Sequence, residues 1–70
     1  MKVHVLYERF IDVLQEDIRR WEQAAIACDA LIPDLAFESD KHVWRLRASE
    51  YRNQAESHRA LIETIRAEQD

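Results

Sequence analysis

The chain of 70 residues has no glycine, and Pro33 is its single proline. Without glycine, phosphate-cradling loops and primed two-residue hairpin turns are excluded, because both need positive φ or close backbone approach. One cysteine, Cys28, rules out an internal disulfide; on an apolar helix position it reads as a small core residue in a reducing compartment. No apolar run approaches the roughly 20 residues that span a bilayer. The first ten residues hold neither a long apolar stretch nor a small-residue cleavage site. Basic residues are few: 10 against 14 acidic ones, a net charge of -4. That balance lacks the basic footprint that supplies most of the affinity for a nucleic-acid backbone. These absences predict a cytoplasmic protein with no membrane segment and no direct nucleic-acid partner.

What is present is two apolar ladders separated by the proline. The first runs Tyr7, Ile11, Leu14, Ile18, Trp21, Ala25, Cys28, Ile32, with spacings that alternate four and three. The second runs Trp44, Ala48, Tyr51, Ala55, His58, Ile62, Ile65 with the same alternation. Such spacing holds a seam on one side of a helix that packs along a partner helix. Ala, Leu, Glu, Gln and Arg, all good helix formers, fill the positions between. The pattern predicts an all-α fold, a single antiparallel two-helix hairpin. Helix 1 covers about 3–31, the connection about 33–39 and helix 2 about 40–67. Ile32 ends helix 1 because a residue before proline is pushed out of the helical region. Ser39 or Asp40 offers a side-chain N-cap for helix 2. Folding at the connection sets Trp21 against Tyr51 and Ala48, Trp44 against Ala25 and Cys28, and Ile11 and Leu14 against His58, Leu61 and Ile62.

Helix 1 carries more apolar residues than one seam uses. Val3, Leu6, Phe10 and Val13 form a further row that stops at Asp17, with Leu61 and Ile65 as antiparallel neighbours on helix 2. A two-helix hairpin has little core, and a chain this small needs further support. Val3, Leu6, Phe10, Val13, Leu61 and Ile65 are therefore expected to form a homodimer interface that builds a four-helix bundle. A groove for a target protein is the alternative use of the same surface.

Charges flank the ladders. Arg45, Arg52, Arg59 and Arg66 recur every seven residues on helix 2, with Arg47 nearby. Arg45, Arg47 and Arg52 have the fewest obvious acidic neighbours and are candidates to meet acidic groups of a partner; a solvated flank is the plainer reading. Glu8, Asp12 and Glu16 form an i,i+4 acidic row on helix 1, with Arg9 and Arg20 at its ends. Such a row either keeps the outer face in water or engages a basic surface, such as the arginines of a DNA-binding regulator. In the connection, Leu35 and Phe37 either cap the Trp44 end of the core or anchor a partner.

No constellation points to catalysis. His4 and Glu8 share a face, but no further metal ligand converges on them, so neither metal nor cofactor is expected. His58 on the second ladder reads as a buried, hydrogen-bonded histidine with Tyr51 as a possible partner. Cys28 near a helix C-terminus has no activating group, and no serine has a histidine and carboxylate beside it.

Size, absence of glycine, the paired ladders and the Ile32-Pro33-Asp34 break resemble the small acidic helical-hairpin inhibitors of phages and bacteria, of the quorum-sensing anti-activator type. That resemblance implies a homodimer that binds and inhibits a host protein such as a transcription factor. The expected function is accordingly a non-enzymatic, protein-binding inhibitor. A structural or assembly subunit of a larger helical complex is the alternative.

Overall fold

The structure, a computed structural model, describes the backbone of residues 2–69 and the side chains of residues 5–69. Two helices account for nearly all of it: α1 over Lys2–Leu31 and α2 over Glu38–Gln69, packed against each other as a hairpin. No strand occurs among the described residues.

The turn between them follows from Pro33. A 3-10 turn covers Ile32–Asp34, and Leu35 leaves it in extended conformation at φ -81 and ψ 137. The Leu35 N–H closes the turn on the Ile32 carbonyl at 3.1 Å. Helix α2 then starts two residues earlier than its side-chain caps predict. Ser39 and Asp40 lie within its first turn, and the Phe37 carbonyl accepts the N–H groups of Asp40 and Lys41, both at 3.1 Å. The acidic pair Glu38 and Asp40 sits where the helix dipole favours negative charge. At the other end α2 runs on to Gln69.

Nine side chains are buried among those described: Ile11, Leu14, Ile18, Ala25, Cys28, Ala48, Ala55, Ile62 and Ile65. Every one is a ladder position, and the remaining ladder residues are half-buried. Ile11, Leu14, Ile18, Ala55, Ile62 and Ile65 form one cluster, with Tyr7 and Trp21 packed on it. Trp21 stacks on Tyr51, ring centroids 5.5 Å apart. Ile65 therefore belongs to the hairpin's own interior, 7% exposed. This corrects its expected place in a dimer interface: the side chain is already covered by α1.

The hairpin is thin, 55 × 15 × 10 Å in extent. It exposes 5486 Å² at a mass of 8.4 kDa, whereas a compact monomer of that mass exposes about 4,600 Å². Roughly 900 Å² of surface is thus open beyond what a globular chain leaves in water.

Candidate interaction surface

The two long edges of the hairpin differ in kind. On one edge, Glu22 and Asp29 each follow a ladder residue of α1 by one position, and Arg52 and Arg59 do the same on α2. Antiparallel packing brings these flanks together. Arg59 Nη2 lies 2.5 Å from Glu22 Oε2, and Arg52 binds Asp29. Arg59 also reaches Glu56 at 3.6 Å. This edge is closed by its own charges.

The arginines singled out from the sequence are consequently engaged within the chain. Arg52 has Asp29 as its partner. Arg45 lies 3.8 Å from Glu38, and the Arg47 guanidinium sits 4.9 Å above the Trp44 ring, a cation–π contact. Reading α2 alone conceals the Arg52 pair, because its acid comes from α1. The acidic row on α1 is exposed at Glu8, Asp12 and Glu16. Glu16 pairs with Arg19 at 2.9 Å, an arginine that sequence reasoning passes over in favour of Arg20. Arg20 instead lies 3.9 Å from Asp17.

The second edge is open and apolar at the end away from the connection. Leu6 is 62% exposed, Phe10 46%, Val13 56% and Leu61 41%. Each precedes a ladder residue by one position, so the hairpin seam leaves all four beside the core. The side chain of Val3 falls outside the described residues. Towards the middle of this edge, a shallow groove is lined by Asp17, Arg20, Trp21, Ala24, Tyr51 and His58. His58 is half-buried there. Its Nδ1 lies 2.9 Å from the Gln54 carbonyl, which can only accept, so Nδ1 is the donor in that contact. Nε2 points to Asp17 at 3.7 Å. Gln54 and Asp17, not Tyr51, are thus the groups at its two ring nitrogens; the Tyr51 ring is stacked on Trp21.

At the connection, Leu35 is half-buried while Phe37 stands 68% exposed. Phe37 is the most exposed large apolar side chain described, and Leu31 and Val43 are exposed as well.

Cys28 is buried, without a nucleophile's access to solvent. Among the described residues, no group of three His, Cys, Asp or Glu side chains converges as metal ligands would. The His4 side chain lies outside the described residues. No helix is long and apolar enough to cross a membrane. What the surface offers chemically is contact area and charge, placed on one open edge and one exposed aromatic tip. The chain matches no family model, no characterised protein and no solved structure.

Proposed function

We propose that the chain is a non-enzymatic protein-binding module that works as a homodimer and inhibits a second protein, such as a transcription regulator. The observation that carries this reading is the open edge: Leu6, Phe10, Val13 and Leu61 lie in water beside the core of a chain with little core to spare. Exposed apolar rows of this kind mark association surfaces. The exposed Phe37 tip supplies an anchor for a target, because a few large side chains dominate interface energies. The acidic face of α1, with Glu8, Asp12 and Glu16, complements a target whose own surface is basic.

Two measurements test it. Sedimentation equilibrium should return twice the 8.4 kDa chain mass; a monomer at all concentrations contradicts the homodimer. Capture of partners from host lysate, run side by side with the wild-type chain and Phe37→Ser, should enrich one protein with the first and lose it with the second. A protein equally enriched by both removes Phe37 from the target site.

A further inference from the structure

The open edge extends further than its apolar end. One position ahead of every ladder residue of α1 runs a second row: Leu6, Phe10, Val13, Asp17, Arg20, Ala24, Ala27, Leu31. Its spacing also alternates four and three, from the first turns of the helix to its last residue. That is a second helix-packing seam, turned about a quarter of a circle from the first. Ahead of the acidic and basic pair at its centre stand large residues; behind the pair stand two alanines and Leu31.

We infer that a second copy of the chain covers this row, α1 against α1 and antiparallel, about a two-fold axis level with Ile18 and Arg19. This rests on the homodimer proposed above and adds its orientation and register. In an antiparallel seam the layers match first to last. Phe10 then faces Ala27 of the partner subunit, Val13 faces Ala24 of the partner subunit, and Leu6 faces Leu31 of the partner subunit. In the Phe10 and Val13 layers a larger side chain meets an alanine, which lets the helices approach closely, and leucine meets leucine at the two ends. At the centre, Asp17 faces Arg20 of the partner subunit, and the two-fold axis repeats the pair. These charges are accessible for it, with side chains 36% and 75% exposed.

The alternatives match worse. A parallel pair sets Asp17 beside Asp17 and Arg20 beside Arg20, which is repulsive. An antiparallel pair slipped by seven residues one way places Phe10 against Arg20 and Val13 against Asp17. Slipped the other way, it leaves Leu6 and Phe10 uncovered. The row is also long enough: it runs over 26 residues of one straight helix, about 38 Å, with Leu6, Phe10, Val13 and Leu31 exposed along it.

Cross-linking reads the register. In a Cys28→Ala background, Val13→Cys and Ala24→Cys are introduced together. The two sites are eleven residues apart on one straight helix, about 16 Å, so no disulfide can form within a chain. Mild oxidation should give a covalent dimer on a non-reducing gel, while each single variant stays unlinked because its own copies lie equally far apart. Sedimentation of the unmodified chain reports separately on whether a dimer exists. A dimer in sedimentation with no linked double variant, or with linked single variants, overturns this register and leaves the homodimer intact. A monomer in sedimentation overturns both. Charge exchange is the second readout. Asp17→Arg and Arg20→Asp should each raise the dimer dissociation constant about tenfold or more, and the double exchange should restore it. A double exchange no better than either single one overturns the facing pair.

Discussion

Trp21 and Tyr51 stack across the hairpin with ring planes 20° apart, an aromatic contact that joins one ladder to the other. The buried positions Ala25, Ala48 and Ala55 lie on the same seam. Small neighbours give two large rings room to lie flat, and an offset stack adds about 0.5–1.5 kcal/mol beyond area burial.

Trp21→Ala should therefore cost about 3 kcal/mol, a large share of the stability of so small a core. The melting curve followed by circular dichroism should lose its cooperative transition or shift sharply down, whereas Trp21→Phe should retain most of it. An unchanged melt for the alanine variant would show that the ring pair does not hold the helices.

Burial separates two isoleucines of equal size. Ile62 is 5% exposed and Ile26 60%. Ile62→Ala should cost about 2–5 kcal/mol, and Ile26→Ala should stay within about 0.5 kcal/mol of wild type. Urea titration of both variants measures the contrast; equal losses would mean that the ladder is not the core.

The closed edge calls for a smaller effect. Arg59 and Glu22 are 44% and 46% exposed, so solvent screens their attraction. A double-mutant cycle with Arg59→Ala and Glu22→Ala should return a coupling of about 0.2–1 kcal/mol. The coupling should shrink when salt is raised, as expected for exposed charges. A coupling that ignores salt would point to packing of the arginine stem instead.

Phe10→Asp places a charge on the open edge without touching the buried core, because the wild-type side chain is already 46% exposed. The variant should keep its helical circular dichroism and sediment as a monomer. A variant that still dimerises would move the interface elsewhere.

The fold is legible in the sequence because one number, the average period of 3.5 residues, governs both helices. All nine buried residues fall on that spacing. The start of α2 is not legible in the same way, because the residue in the N-cap position is Phe37, whose side chain has no acceptor to announce it; its carbonyl accepts the ordinary first helical bonds from Asp40 and Lys41. Ile65 is a ladder residue and its burial follows from the ladder; giving it a dimer interface as well asked one side chain to line two surfaces. The Arg52–Asp29 pair is hidden for a different reason: its partners are 23 residues apart and meet through the offset between helices. The same offset conceals the pairing of Arg59 with Glu22. Of the open edge, the apolar end is readable as a row, but its continuation past Asp17 is not, since alanines carry little signal until a facing residue gives them a role.

The Ile32–Asp34 turn also dictates an order of events. Contacts nearest the turn close the shortest loops, and each further layer adds little closure entropy once the previous one has formed. Folding should then proceed as a zipper from Cys28 and Ala48 outward to Tyr7 and Ile65, with Pro33 at its origin. Substitutions near the turn should slow refolding, and those near the termini should chiefly speed unfolding. The last layers to close lie at the same end as Leu6 and Phe10, so a second chain that settles there would act as a latch on the part of the hairpin that opens first.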